Sequence, residues 1–358
     1  MTRGFQGRSS DSQILLMDPI QDRRWQALVQ DQPSLLFHSP AWLKVLALTY
    51  GFEAKALVLF ERGQPAAGIP FALVKDALGF RLVSLAFSDY CDPIFQAKSQ
   101  ISSLLKNLIQ KHPDHQIRLR FLNAPAPGSR LGFRLSRTAR WHGLELEGTQ
   151  AKLWQGLHSQ FRRAVQMARK QGLSVRRLEP EELRKFFELH LAVRKNRYRL
   201  LPQPFRFFEN IWKTFIAAGE GVFLGAYTPD RRLIAAHCLL FWKDSLVYKF
   251  GASDYAFAKA RANHLLHWEG AVMGLERGFR LFDLGLSDDD QPGLIQYKRH
   301  LGAEEKAIRF YELAEIASPA EAVALRAALA EITLLATSPE LPAPVTEKFG
   351  NLLYRYFA

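Results

Sequence analysis

The sequence has few cysteines and no long apolar segment. Only two of its 358 residues are cysteine, Cys91 and Cys238, so the disulfide framework of a small secreted protein is not indicated. The N-terminus has no apolar run of the kind found in a signal peptide. The longest apolar stretch, Leu233–Trp242, contains His237 and is too short to span a bilayer. We therefore expect a soluble, cytoplasmic protein with free thiols.

Acidic residues are scarce in one part of the chain. The net charge is +13, and residues 151–200 hold 13 lysines and arginines against 4 glutamates, which is +9 of that total. A concentrated basic surface attracts phosphate groups such as those of tRNA, coenzyme A or lipid head groups, and also acidic carrier proteins. The alternative is a solvated helix face without a partner. Charge alone leaves both interpretations open.

Length and repetition together predict two domains. A chain of 358 residues is long for a single core. The same order of segments occurs twice: a helix, three β-rich runs separated by turns, a second helix and a further strand. We predict an α+β protein with an N-terminal domain at 1–150, a second domain at 151–315 and a helical tail at 316–358. The predicted helices of the repeat are 40–50 and 99–111 in the first half and 205–218 and 261–277 in the second.

The basic segment predicts a helix over residues 153–168, because apolar residues recur there at helical spacing. Arg162 and Arg163 lie beside this apolar stripe, and Arg194 and Arg197 follow the next predicted helix. Guanidinium groups bind phosphates in a bidentate manner. We predict that these four arginines contact a phosphate-bearing substrate.

Residues 280–302 are the most informative about function. They indicate a short buried strand, an acid-rich loop and a helix that carries Tyr297 and Lys298. A lysine held in this way can stabilise an oxyanion or bind a phosphate, although most lysines are simply exposed. Asp283 lies within the strand, where a supporting role is favoured over catalysis. The aspartates at 288–290 are adjacent and cannot all face one ion, so no metal site is predicted.

In the second half the informative stretches are 157–163, 168–175, 201–208, 263–269, Phe282-Asp-Leu-Gly285 and Tyr297-Lys-Arg299. In the first half they are Ser39-Pro-Ala-Trp42 and the run that ends at Ser88-Asp-Tyr90. The order of these motifs in the second half resembles the GNAT acyltransferase superfamily, in the branch of the Fem-type peptidoglycan aminoacyltransferases and related FemAB-like proteins, and the first half agrees more loosely.

The resemblance implies a tandem GNAT fold, in which each domain is a mixed, mostly antiparallel sheet flanked by helices. It also implies acyl transfer to an amine acceptor, with no tightly bound cofactor. The implied donor is an aminoacyl-tRNA, an acyl-CoA or acyl carrier protein, and no DNA partner is expected. The family counterpart of Lys298 contacts a substrate phosphate or the reacting carbonyl, and the likeness extends to Tyr297 and Asp283.

One departure from the family pattern concerns the donor. Residues 256–263, where users of acetyl-CoA carry a glycine-rich pyrophosphate loop, contain no glycine. Side chains keep a diphosphate away from backbone amides, so this sequence argues against the usual mode of acetyl-CoA binding. The alternative function is a tRNA- or phosphate-binding module that has kept the fold without the catalysis.

One predicted helix and the strand before it supply further candidates. Glu269, His264 or His267 is a candidate acceptor for the amine proton. The two histidines lack a third ligand, so a metal site is not predicted. Gly251 ends the central strand, where GNAT-like folds expose backbone amides to the acyl carbonyl, and a turn glycine is the alternative.

Two more regions complete the predicted contacts. Asp89 and Tyr90 end a strand of the first domain and are expected to face the cleft between the domains. The tail from Pro344 has an apolar helical face that either lies on a membrane or, as we favour, docks on its own domain. The residues of this face are Phe349, Leu352, Leu353, Tyr356 and Phe357.

Overall fold

The computed structural model describes residues 12–313 and 320–358, and the strands in these residues form one sheet of twelve. Its spatial order is β1-β2-β3-β4-β5-β12-β6-β11-β10-β9-β8-β7. In chain order the strands are β1 (Ser12–Met17), β2 (Glu53–Glu61), β3 (Gln64–Asp76), β4 (Gly79–Val83), β5 (Gln116–Phe121), β6 (Phe133–Glu145), β7 (Ser174–Arg177), β8 (Gly221–Tyr227), β9 (Leu233–Trp242), β10 (Ser245–Ser253), β11 (Leu281–Ser287) and β12 (Glu304–Leu313).

Helices flank this sheet. Two π-helical segments, Val193–Tyr198 and Trp212–Ile216, extend α6 and α7 respectively. The α-helices of the described residues are α1 (Arg23–Asp31), α2 (Pro40–Tyr50), α3 (Lys98–Lys111), α4 (Gln150–Gly156), α5 (Ser159–Lys170), α6 (Leu183–Ala192), α7 (Phe205–Ile211), α8 (Ala262–Glu276), α9 (Pro292–His300), α10 (Ala320–Ala336) and α11 (Ala343–Leu353).

The duplicated pattern predicted from the sequence is present. The first copy is β2-β3-β4-α3-β5 and the second is β8-β9-β10-α8-β11. In each copy the meander is antiparallel, and its last strand pairs in parallel with the strand after the helix. The predicted fold class, a mixed and mostly antiparallel sheet flanked by helices, is therefore confirmed.

The two halves exchange the strand that follows each copy of the repeat. β6 comes from the first half but lies between β12 and β11, whereas β12 comes from the second half and lies between β5 and β6. The two exchanged strands also pair with each other along the whole of β12. The boundaries at residues 150 and 315 stay predictions, and a cut at 150 would separate β6 from its neighbour β11.

Most helix bounds follow the sequence, with one correction in the basic segment. α2, α3 and α8 begin and end within one residue of the predicted bounds. The helix predicted over 153–168 is in fact two helices, α4 and α5. The backbone turns extended at Leu157 and His158, and the His158 side chain accepts a hydrogen bond from the backbone N–H of Gln160 at the start of α5.

The largest apolar cluster of the described residues contains side chains of both halves. Trp42 of α2 packs edge to face against Phe207 of α7, with ring centroids 6.0 Å apart. In the tail, Phe349 and Leu353 pack against this cluster, as the favoured docking on its own chain predicts, whereas Leu352 and Phe357 of the same predicted face are 60% and 44% exposed. None of the helices in residues 12–313 and 320–358 has both the length and the apolar composition needed to cross a bilayer.

Candidate active site

The candidate site is a V-shaped opening between β10 and β11. The two strands pair in parallel only as far as Val247 and Asp283, although β10 continues to Ser253 and β11 to Ser287. A β-bulge at Lys249, between Tyr248 and Phe250, interrupts the pairing of β10 with β9 at the same level. Strands that diverge next to a bulge leave backbone groups free to meet a ligand.

A cavity of about 560 Å³ lies beside this opening. Two further cavities, of about 360 and 810 Å³, adjoin it on opposite sides. The first of these shares Arg261, His264 and Tyr297 with the central cavity, and the second shares Arg197 and Tyr255 with it. Through these shared residues the three cavities form one groove.

Tyr297 and His267 make a hydrogen-bonded pair on the wall of the central cavity. The hydroxyl oxygen of Tyr297 lies 2.9 Å from Nδ1 of His267, and that nitrogen also lies 2.9 Å from the backbone carbonyl oxygen of Asn263. A carbonyl only accepts hydrogen bonds, so this contact favours a proton on Nδ1. With the ring proton shared in this way, the Tyr297 hydroxyl keeps its own proton to donate into the cavity.

Burial determines the charge of the groups around this pair. It raises the pKa of Tyr297 well above the ordinary value, so the phenol stays protonated. Burial also lowers the pKa of His267 well below its ordinary value, and it lowers that of His237 to about 3 and that of His264 to about 4. The imidazoles are therefore neutral near pH 7, and each has a nitrogen able to accept a proton.

The N-terminus of α8 opens onto the junction of the central cavity and the smaller one. Arg261 precedes the helix in the left-handed region, with φ of 60°, and no side chain caps the helix there. Unpaired amides and the helix dipole at such an end attract anions. Arg163 of α5 lies on the other side of the smaller cavity. Both arginines are exposed, and in the described part of the chain neither has a carboxylate partner.

The first half of the chain fills the inner end of the V. Asp89 lies against Gly285 of β11, and its carboxylate accepts a 2.7 Å hydrogen bond from the amine of Lys249. Phe37 and Trp42 surround that amine, at 5.2 and 5.4 Å from their ring centroids. Asp89 thus meets the second half of the chain, as the sequence predicted. Its carboxylate is already paired, with only part of the side chain exposed.

Tyr90 and Asp283 are structural partners rather than substrate ligands. The buried Asp283 carboxylate accepts hydrogen bonds from the Tyr90 hydroxyl at 2.6 Å, from Nε1 of Trp141 at 2.8 Å and from the backbone N–H of Gly285 at 2.8 Å. Burial raises the pKa of this carboxyl, and these donors oppose the shift. The contacts of Asp283 agree with the supporting role favoured from the sequence, and they leave neither Asp283 nor the Tyr90 hydroxyl as the substrate ligand that the family resemblance and the cleft position suggested.

Lys298 does not face the groove. Its side chain is 3% exposed, and its amine donates to the backbone carbonyls of Gly285 at 3.2 Å and Leu286 at 3.1 Å. Burial lowers the pKa of this amine to about 8. The prediction that Lys298 supplies a cation for an acyl carbonyl or a phosphate is therefore corrected. Lys298 instead fixes the bend of β11 behind the site.

Three other predicted residues have structural partners instead of substrate. The Arg162 guanidinium donates to the carbonyls of Trp154, Gln155 and Leu157 and so caps the end of α4. Glu269 accepts a 2.9 Å hydrogen bond from Arg169 on the outer side of α8, away from the described cavities. Arg194 donates from Nε to the carbonyl of Leu201 at 3.0 Å. These contacts correct two predicted phosphate ligands and one predicted base.

Several residues that were predicted to be functional do line the groove, and other residues that line it were not predicted. Arg163, Arg197, Gly251 and Tyr297 all line it. At Gly251 the space of a side chain is taken by the Tyr248 hydroxyl. The groove residues overlooked as functional candidates are Tyr248 and Arg261. Tyr248 is a polar residue within β10, and Arg261 directly precedes α8, and neither position stands out in the sequence. No cluster of metal-binding side chains occurs in the described ranges.

Comparison with known proteins gives a domain type from sequence and a fold from solved structures. Residues 156–299 match the sequence family described as an acetyltransferase (GNAT) domain. No curated protein sequence matches the chain. Among solved structures, FemX superposes with a TM-score of 0.68 at 14% identity, over 84% of this chain and 97% of FemX.

Two further solved structures have the same fold. A tandem GNAT protein from the clavulanic acid biosynthesis pathway gives a TM-score of 0.54 at 13% identity, over 84% of this chain and 98% of its own. The C-terminal domain of a putative lysylphosphatidylglycerol synthetase from Agrobacterium fabrum gives 0.53 at 12% identity, over 87% and 95%. At such identities the structures establish the fold, and the sequence family establishes the domain type. Residues 156–299 thus match a GNAT acetyltransferase domain, and the described chain has the fold of the tandem GNAT proteins.

Proposed function

We propose that this protein transfers an acyl or aminoacyl group from an activated ester or thioester to an amine. The observation that carries the proposal is the Tyr297–His267 pair, which lies where the cavities meet beside the divergence of β10 and β11. An ester or thioester is already activated. Positioning and charge stabilisation therefore supply most of the rate, and the groove has the form of a site that holds two substrates together.

The donor side of the groove is the smaller cavity at the start of α8. Arg163, Arg261 and the free amides of α8 together favour a phosphate group there. Because residues 256–263 contain no glycine, the phosphate would be held by these side chains more than by a backbone loop. Acyl-CoA, acyl carrier protein and aminoacyl-tRNA all carry a phosphate on the arm or nucleotide that bears the acyl group.

Proton transfer follows from the charge states of the site. The amine attacks the acyl carbonyl, and its proton passes to the neutral His264, which lines both the central cavity and the smaller one beside it. The bond to the leaving thiolate or alkoxide then breaks with its electron pair, and the Tyr297 hydroxyl donates the proton that the leaving group needs. His267 orients the phenol through Nδ1.

The first test is a substitution at Tyr297. Tyr297→Phe removes the proton donor while keeping the ring, so we expect kcat to fall about 100-fold or more with little change in donor binding. Tyr198→Phe is the matched control, because Tyr198 lines the same cavity without a hydrogen bond to His267. Equal rates for the Tyr297 variant and the wild type would exclude this role.

The donor is identified by thermal shift with acyl-CoAs, acyl carrier protein and charged tRNA. A true donor raises Tm, and the Arg163→Ala variant should lose that shift. A donor that binds with strong salt dependence but is never consumed by any amine would support the alternative, a phosphate-binding module without catalysis.

A further inference from the structure

Large apolar side chains are exposed around the mouth of the groove. Tyr255, which lines both the central cavity and the largest cavity, is 81% exposed. Leu334 and Leu335, at the end of α10, are 55% and 69% exposed, and Tyr198 and Leu200 are more than two-fifths exposed. Leaving such groups in water is unfavourable, and a contiguous set of them marks an interaction site.

These residues form one surface rather than scattered points. The Arg199 guanidinium donates a 2.8 Å hydrogen bond to the carbonyl of Leu334, which holds the end of α10 against the π-helical segment Val193–Tyr198. The amine of Lys195 donates to the carbonyls of Pro339 and Leu341 and fixes the next loop in the same way. We call the exposed set the apolar rim, which consists of Tyr198, Leu200, Tyr255, Leu334 and Leu335.

The charge around the apolar rim is positive. Positions 194, 195, 197 and 199 are cations, of which Arg197 is exposed, Arg194 and Arg199 are half-buried and Lys195 is buried. The acidic side chains of the adjacent part of the chain are Glu331 and Glu340. Glu188, which lines the largest cavity, is paired with Arg184 at 3.6 Å, and Asp254 beside Tyr255 is paired with Arg232 at 2.8 Å. Apolar groups ringed by a net positive charge complement an anionic bilayer, since leucine and tyrosine enter the interface while arginines meet the head groups.

We propose that the apolar rim docks on an anionic lipid bilayer, with the mouth of the groove turned toward the membrane. A substrate anchored in the bilayer, or a lipid head group itself, then reaches the central cavity without leaving the surface. The proposal concerns binding alone, so it is tested without acyl transfer and its outcome is separate from that of the proposed reaction.

The test is co-sedimentation of the full chain with vesicles of phosphatidylcholine, with and without phosphatidylglycerol. We expect binding to the vesicles that contain phosphatidylglycerol, weakening as salt is raised. The double variant Leu334→Ser, Leu335→Ser should bind about tenfold or more weakly, because two leucines no longer enter the interface. Both side chains are exposed in the folded chain, so the fold is retained, and circular dichroism checks this.

The matched control is Leu48→Ser with Leu135→Ser, which removes two leucines of similar exposure, 57% and 53%, that are not part of the apolar rim. This control should bind as the wild type does. Equal loss in both double variants, or no binding of the wild type to anionic vesicles, would overturn the proposal. A dimer in solution that the Leu334, Leu335 variant dissociates would also overturn it, since a second copy would then cover the rim.

Discussion

At the scale of single residues, burial decides what a charged group does. Lys298 and Glu269 have the residue types expected of a catalytic cation and base, yet their polar atoms already have partners in the protein. Tyr297 and His267 are less conspicuous in the sequence. They matter because the fold turns them toward a cavity and holds them neutral.

The lowered pKa of Lys298 predicts how stability depends on pH. The folded chain releases this proton near pH 8, whereas the unfolded chain keeps it up to about 10.4, so the unfolded state binds more protons between these values and stability rises with pH. From about pH 7 to about pH 9.5 the wild type should gain about 2 kcal/mol of unfolding free energy relative to Lys298→Met. Urea unfolding at both pH values measures this, with the exposed Lys170→Met as control. An identical pH response of Lys298→Met and the wild type would contradict the assignment.

At the scale of elements, the joint between the two halves depends on a few buried polar contacts. Lys249 sits on the bulge of β10, and Asp89 reaches it from the other half of the chain. The aromatic side chains around the amine exclude water, so the carboxylate is the group that compensates the charge.

Asp89→Asn should therefore destabilise the protein by about 2 to 3 kcal/mol, because a nearly buried ammonium loses its counter-charge. Asp288→Asn breaks an ion pair of similar length, with Arg137, in which both side chains are about half exposed. The Asp288→Asn control should lower the free energy of unfolding by less than about 1 kcal/mol. Chemical denaturation of the two variants compares them directly, and equal losses would show that the Asp89–Lys249 pair is no more important than a surface pair.

At the scale of the whole molecule, the exchange of β6 and β12 ties the halves together. Each half depends on the other for the strand that completes its part of the sheet. The two halves are therefore not expected to unfold independently of each other.

A fragment of residues 151–358 lacks β5 and β6, so β12 loses both of its neighbours and β11 is left with an unpaired edge. We expect it to aggregate or to lack a cooperative thermal transition, whereas the full chain should unfold in one transition. Supplying residues 1–150 as a second fragment should restore a soluble complex, detectable by gel filtration and circular dichroism. A monomeric, cooperatively folded 151–358 fragment would show that the exchange is dispensable.

The sequence by itself determined the repeated elements, because helix caps, apolar periodicity and turn residues are local signals. α2 and α3 lie where those signals predict, and Tyr297, Arg163 and Arg197 were identified from residue type and position. It did not reveal the pairing of β6 with β12, which are about 170 residues apart. Strand pairing over such a distance depends on the packing of the whole sheet and leaves no local pattern.

The tertiary structure decided which polar residues are free to act. Lys298, Asp283 and Arg162 lie next to carbonyls or N–H groups that only the fold brings near them, and those contacts satisfy them. His267 and Tyr297 are instead held together on a cavity wall. The sequence specifies the type of each side chain. Whether a side chain is available to a substrate depends on its burial and its partners, and these arise only when distant segments pack.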